Sequence, residues 1–358
     1  MSQPSIDRPH TVTVSTWTIL KIILIILALG LVWFLREVAA MIFVALLFSA
    51  LIDPFADWLA RHKIPRVLAV IIVYAMVLIL AFSVLILLVP PLISQFQQLL
   101  DNSPTIFSGL NNTFSRFKEL STQYGFEANF QAGLDALQVG FNETFYNLFS
   151  TITGFFGGLA ACVIVLVLTF YMVVEEESAR RFFKNLAPVE YQPFLTAMFI
   201  KMQKRIGYWL RGQLVLGLVV GLAVYLGLLI IGVPYPLLLG LIAGLLEIVP
   251  YAGPLLAAIP ALIIAFSVSP LTGIAALVVC IVVQQIENNI LVPKIMQKAT
   301  GLNPIVSIVV LMVGIKFGGF VGGDIFGSVV GALLAIPVAT MLSVAVEEFF
   351  AEHSSREK

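Results

Sequence analysis

Charge is what this sequence has least of. Its 358 residues include 20 Lys and Arg and 20 Asp and Glu, 11% of the chain, and the two signs cancel to a formal net charge of +0. A soluble domain is about 25% charged, so this chain has too few charges to cover a globular surface. It also lacks any basic tract or aromatic-basic ladder, and nucleic acid is not expected as a partner. Cysteine is nearly absent. Cys162 and Cys280 lie far apart inside apolar segments, where they read as small hydrophobes rather than a disulfide framework or a metal site. The three histidines, His10, His62 and His353, are scattered through stretches expected to lie outside the membrane. No G-x-S-x-G, H-E-x-x-H, P-loop or C-x-x-C occurs. No enzyme activity, cofactor or metal is therefore expected. Without an ATP motif, any transport should be gradient-driven or passive.

What the chain has is apolar sequence: 60% hydrophobic residues and a mean hydropathy of +1.03. A helix needs about 20 apolar residues to cross a bilayer at roughly 1.5 Å per residue. On that measure 18–35, a short 38–52, 67–93, 151–174 and 207–231 read as spans. The run from Thr18 to Leu35 exceeds the ~7–15-residue core of a cleavable signal and is expected to be retained. Beyond 231 the apolar segments shorten to 234–249, 252–268, 271–286, 304–320 and 326–346. Pro250, Pro254, Pro260, Pro270, Pro293, Pro337 and the pairs Gly318-Gly319 and Gly322-Gly323 interrupt them. Broken helices are tolerated at membrane depth only inside protein or beside a water-filled cavity, and they point to a transporter's binding site. The expected class is an all-α polytopic membrane protein, with the lipid bilayer as partner and re-entrant hairpins in its C-terminal half.

The chain divides by composition. Residues 1–93 form N-terminal scaffold helices. The polar stretch 94–150 reads as a small helical extracytoplasmic domain, because Leu110, Phe114, Phe117, Leu134, Leu137, Phe141, Phe145 and Leu148 recur at helical spacing. Membrane helices follow over 151–231, interrupted by an amphipathic connector at 175–206. In it Leu195, Met198, Phe199, Met202 and Ile206 form a stripe with Lys201, Lys204 and Arg205 off it, which reads as a helix lying in the membrane interface. Residues 232–346 are the expected transport core and 347–358 a tail. Cations gather in 53–66 and 175–206 and are few in 94–150, which places both termini on the cytoplasmic side. GPLLAAIPA at 253–261 echoes GALLAIPVA at 331–339, as an internal repeat would.

Polar residues at membrane depth need a reason, since each ionisable one costs roughly 2.5–3.5 kcal/mol or more at a helix centre. Glu247, before Pro250 in GLIAGLLEIVPYAGP, sits near the tip of a hairpin or else at the membrane edge. In QQIENNILVPK at 284–294, Gln284, Glu287, Asn288 and Leu291 share one helix face, with Gln285 and Asn289 beside it. That surface suits a small hydroxylated solute or a partly dehydrated cation, or else marks a polar helix end before Pro293. Lys316 and Asp324 flank KFGGFVGGD, where the glycines let the chain fold back and the two charges meet. Arg211 reads as snorkelling to the interface.

The blocks GVPYPLLLGLIAGLLEIVPYAGPLLAAIPA and QQIENNILVPKIMQKATGLNPIVSIVVLMVGIKFGGFVGGDIFGSVVGALLAIPVAT resemble the autoinducer-2 exporter-like (AI-2E) family of bacterial membrane permeases. The match covers about Gly232 to Thr340, and FYMVVEEESARRFFKNLAP adds a weaker one. The resemblance implies a multi-pass inner-membrane protein with roughly eight spanning helices. Its pattern positions here are Glu247, Pro250, Gly253, Pro254, Gln284, Glu287, Asn288, Pro293, Lys294, Asn303 and Pro304. It further implies export of autoinducer-2 or sodium or lithium/proton antiport.

Three functions are open at this point. One is a secondary transporter exporting a small polar metabolite such as autoinducer-2. Another is a monovalent cation/proton antiporter. The last is an oligomeric channel or scaffold. The expected binding residues are Glu247, Gln284, Glu287, Asn288, Lys316 and Asp324. Pro250, Gly253, Pro254, Pro293, Asn303 and Pro304 are the expected hinges, and a homo-oligomer is a candidate assembly.

Overall fold

The computed structural model describes residues 34–115, 159–175, 188–249, 252–296, 303–322 and 325–356, together with single positions within 17–31 and 132–147. Helices make up nearly all of it, and no strand occurs among the described residues. They are α1 (Arg36–Arg61), α2 (Arg66–Asp101), α3 (Ser103–Thr113), α4 (Leu159–Val174), α5 (Gln192–Ile230), α6 (Pro236–Leu246), α7 (Ala252–Val268), α8 (Pro270–Ile286), α9 (Val292–Met296), α10 (Pro304–Gly322) and α11 (Ile325–Arg356), with a π-turn (Glu287–Leu291) joining α8 to α9. Five stretches are long and apolar enough to cross a membrane: Val38–Arg61, Arg66–Asp101, Val189–Ile230, Pro270–Met296 and Val330–Glu348. Shorter apolar helices lie between them. The protein is an all-α polytopic membrane protein.

Several elements run further than their apolar content indicates. α1 continues through Pro54 to Arg61, so the expected polar link 53–66 contracts to a turn at His62–Pro65. Lys63 takes a left-handed backbone there, with φ 67°. Arg66 staples the turn, donating to Asp57 at 2.7 Å and lying 3.6 Å from Asp53. α2 does not stop at Pro90-Pro91. Beyond the prolines, Phe96 and Leu99 bury in the main core, and that burial keeps the chain helical to Asp101. α3 then folds back onto α7, burying Ile106, Phe107 and Leu110. Phe114 meets Phe266 at 5.7 Å between ring centroids, and Phe141 meets Phe107 at 5.6 Å. Leu137 is exposed. Phe117, Leu134, Phe145, Leu148 and most of the connector 175–188 lie outside the described residues.

The later part of the connector expected at 175–206 is not a separate element: residues 192–230 form one helix, so the amphipathic stretch runs unbroken into the following span. No proline or glycine separates the two parts before Gly207, which lets the helix propagate. Ile206 and Trp209 bury against other helices. Two of the cations off the stripe bind the end of α11: Arg205 pairs with Glu347 at 2.6 Å, and Lys201 with Glu348.

Glycines explain how helices without charge hold together. With no hydrophobic drive between helices in lipid, close backbone approach through small residues supplies the attraction. α5 presents GLVVG (217–221) to GLIAG (240–244) on α6. A Cβ on Gly217 would lie 2.6 Å from the Gly244 carbonyl oxygen, and one on Gly221 2.9 Å from that of Gly240. α10 presents GIKFG (314–318) to GSVVG (327–331) on α11, where a Cβ on Gly331 would lie 2.1 Å from the Gly314 oxygen and 2.8 Å from the Gly318 Cα. The two copies of the internal echo use their first glycine differently. Gly331 lies within this seam, whereas Gly253 lies in the first turn of α7 against the end of α6.

α6 has 11 residues, about 16 Å of helix against a hydrocarbon core of roughly 30 Å. It is too short to span. α6 and α7 pack against each other as a pair re-entrant in length, with the chain turning from Glu247 at the end of α6 and the opposite end held by α2 and α3. There Gln95 Oε1 accepts from the Leu238 N–H at 3.0 Å, Asn102 donates to the Tyr235 hydroxyl at 3.0 Å, and Thr113 Oγ1 donates to the Phe266 carbonyl at 2.9 Å. Tyr235 starts α6 from a left-handed backbone (φ 58°), uncommon for a bulky side chain.

The seam predicts a mutational contrast. Gly331→Val should destabilise the solubilised protein by about 2 kcal/mol through overpacking. Gly140→Ala, where a Cβ meets nothing within 4 Å, should be neutral or slightly stabilising. Thermal unfolding in detergent measures both, and equal midpoints for the two variants would contradict the seam.

Candidate functional site

The site starts where α6 ends. Ala243 accepts from the Glu247 N–H at 3.0 Å, and the chain then loosens into a turn. Helix ends leave carbonyls without intrahelical donors. The Glu247 carbonyl is taken by Gln213 of α5, whose Nε2 donates to it in a short hydrogen bond. Gln213 is 2% exposed. On the far side of the turn Gly253 packs flat on α6, where a Cβ would lie 2.0 Å from the Leu246 oxygen. The local sequence accounts for the geometry: Gly244 lets α6 approach α5, Gly253 lets α7 return beside it, and Glu247 between them is carried inward to 2% exposure.

The second wall comes from α8. Pro293 has no N–H and its ring crowds the carbonyl four residues back. The chain answers with the π-turn, in which the Val292 N–H reaches the Glu287 carbonyl five residues back. π-turns of this kind occur frequently at functional sites. Glu287 opens the turn and is 5% exposed. Gln284, one turn earlier, donates from Nε2 to Glu287 Oε2 at 3.1 Å. The Glu247 and Glu287 side chains are near enough to interact electrostatically, and Glu247 Oε2 is buried with no hydrogen-bond partner. Three helices thus meet at two acids and two amides.

The polar cluster at 284–289 splits its tasks. Gln284 and Glu287 face inward. Asn288 is exposed, so the α-helical face expected for it does not form once the turn widens. Asn289 turns back and donates from Nδ2 to both the carbonyl and Oε1 of Gln285, each at 2.9 Å. Pro293 and Lys294 are exposed, while Pro254 is half-buried in the first turn of α7. Asn303 caps α10, its Oδ1 accepting from the Ile305 N–H at 2.9 Å, and Pro304 is the first helical residue. Lys316 is exposed on α10. Pro250 and Asp324 lie outside the described residues.

Arg211 is tied to α1: its Nη1 donates to the Ala50 carbonyl at 2.9 Å, and its guanidinium lies 5.1 Å from the Tyr208 ring centroid. Gln213 belongs to the acid site and had only its polarity within an apolar run to reveal it. A second polar group joins α1, α2 and α5, where Gln203 donates to Asp53 at 2.6 Å beside Arg66. It ties helices together. Among the described residues no group of three or more His, Cys, Asp or Glu is placed to hold a metal ion. The chemistry available at Glu247 and Glu287 is exchange of a proton or a small cation. Two neighbouring carboxyls repel when both are charged, and a buried oxygen without a donor is costly.

Comparison with known proteins agrees with this architecture. The family model described as "AI-2E family transporter" matches residues 22–351. "Putative transport protein YrrI" of Bacillus subtilis (strain 168) is 27% identical over 308 residues, 86% of this chain and 85% of that protein. A "Putative transport protein" of Thermotoga maritima is 26% identical over 322 residues, 86% of this chain and 91% of the relative. "Putative transport protein YhhT" of Escherichia coli (strain K12) is 23% identical over 336 residues, 92% and 90% of the two chains. Matched across nearly its whole length, the chain belongs to the AI-2E family of membrane transporters.

Proposed function

We propose that this protein is a gradient-driven secondary transporter of the bacterial inner membrane, with both termini cytoplasmic, that exports a small polar metabolite. Autoinducer-2 is the candidate cargo. The observation that carries the reading is the burial of two neighbouring, interacting acids, Glu247 and Glu287, at the meeting of a broken helix and a π-turn. A purely structural role is a poor explanation for two neighbouring acids, since opposite partners or apolar packing would be more stable. The pair is stable when it holds a proton or a cation between its oxygens. Emptying and refilling that position from alternate sides couples a gradient to movement of the α6–α7 hairpin against α5. The amides of Gln284 and Gln213 offer the hydrogen-bonding groups that a hydroxylated solute requires.

A specific feature favours sodium or lithium/proton antiport as the second reading. α6 is interrupted beside the acids, and interrupted helices commonly take part in monovalent-cation sites in transporters. In that case the cation and the proton compete for the same carboxyls, and no organic cargo is needed.

Proteoliposomes under an imposed pH gradient test the pair. Glu247→Gln and Glu287→Gln should each lower flux by about tenfold or more. Because they act as a unit, the double variant should be no worse than either single one. Unchanged flux in both single variants at normal protein levels would overturn the proposal. The same vesicles separate the two readings. Labelled autoinducer-2 flux without cation-dependent proton movement identifies the exporter. Sodium- or lithium-dependent proton movement lost in Glu287→Gln identifies the antiporter.

A further inference from the structure

We infer that Asn289, with Gln285 as its acceptor, is the positioning residue that aims Glu287 at Glu247 by holding the chain in the wider π register. Both acids are referenced to the same two residues of α5. Gln213 holds the Glu247 carbonyl. Its neighbour Gly212 leaves a notch filled by α9, with Ile295 Cγ2 and Met296 Sδ placed 3.2 and 2.9 Å from where a Cβ would stand. α9 is therefore anchored, and the direction in which Glu287 points depends on the helical register between that anchor and residue 287. The π-turn adds a residue to that register. Closing it to α geometry would rotate Glu287 by about 100° about the helix axis and carry its carboxyl off Glu247.

Something must hold the wider turn open, because π geometry is rare and survives as single turns. Pro293 forbids the ordinary hydrogen bond downstream. At the upstream edge Asn289 supplies two side-chain donors to a single residue, the Gln285 carbonyl and Oε1, both at 2.9 Å. Both side chains are exposed, and Asn289 donates to Gln285 rather than to Glu247 or Glu287. An exposed amide pair within Pro270–Met296, a stretch apolar enough to lie in lipid, is costly unless its hydrogen bonds are closed internally. The Asn289 Nδ2 donors and Gln285 Oε1 are satisfied in this way.

Isosteres separate this role from packing. A Thr hydroxyl can donate to the carbonyl four residues back, whereas Val has the same shape and no donor. Asn289→Val and Asn289→Thr are compared in the full-length protein by two readouts: labelling of Glu287 and Glu247 with a carbodiimide, quantified by peptide mass spectrometry, and proton flux in proteoliposomes. The labelling readout is independent of the transport reading, and only the flux readout rests on it. Asn289→Val should expose Glu287 and raise its labelling about tenfold over Glu247 while lowering flux, and Asn289→Thr should stay near wild type in both. Asn289→Ala removes the donor with a smaller side chain and is read the same way should the Val protein accumulate poorly. Equal behaviour of Val and Thr, or wild-type Glu287 labelling in Val and Ala, would overturn the positioning role. Altered labelling with unchanged flux would uphold it and count instead against the acid pair as the transport site.

Discussion

The backbone contact between Gly217–Gly221 of α5 and Gly240–Gly244 of α6 is the constraint on which the site depends. It exists only because neither partner has a Cβ there. Brought this close, α6 ends one residue before the carbonyl that Gln213 reaches, and the Glu247 side chain is delivered into the protein and not into lipid. α5 makes this possible by its length. A single helix of 39 residues contacts α1, α6, α8, α9 and α11, and two parts of it do different work. One is pinned by ion pairs to α11, and the middle is pressed onto the broken helices.

From that constraint the electrostatics follow. An acid alone at this depth would simply be neutral and inert. Two neighbouring acids form a position whose energy depends on what lies between them, and that is the property a coupling site needs. The flanking amides donate to oxygens that would otherwise be unsatisfied, Gln284 to a side chain and Gln213 to the main chain. One amide thus tracks the charge state of the pair and the other the position of the hairpin tip. The open end of the hairpin is held separately by Gln95, Asn102 and Thr113, so movement of the tip and release of the base are distinct events.

Much of this was legible in the chain. Scarcity of charge fixed the class, and Pro and Gly interruptions after residue 230 marked the region where the broken helices occur. Glu247 and Glu287 stood out because ionisable groups in apolar runs are expensive. Their proximity was not legible, since it joins positions forty residues apart through a third helix. The π-turn was also hidden: α-helical spacing put Asn288 beside Glu287, and only the widened turn sends it outward while Asn289 folds back on Gln285. The four Gly-x-x-x-Gly steps were present in the sequence and went unread among 26 glycines, although their pairing needed the fold. Length misled in the opposite sense at 192–230, where charged and apolar stretches looked like two elements because Glu347 and Glu348, which neutralise the cations, lie over a hundred residues away.

The central claim is that Glu247 and Glu287 form a single exchange position. It is tested most directly by proton release from the purified protein in weakly buffered detergent on addition of sodium, lithium or autoinducer-2. The account predicts release of a proton by wild type with the ligand that is transported, and none when both acids are Gln. Undiminished release from the double variant would contradict it and place the exchange elsewhere in the chain.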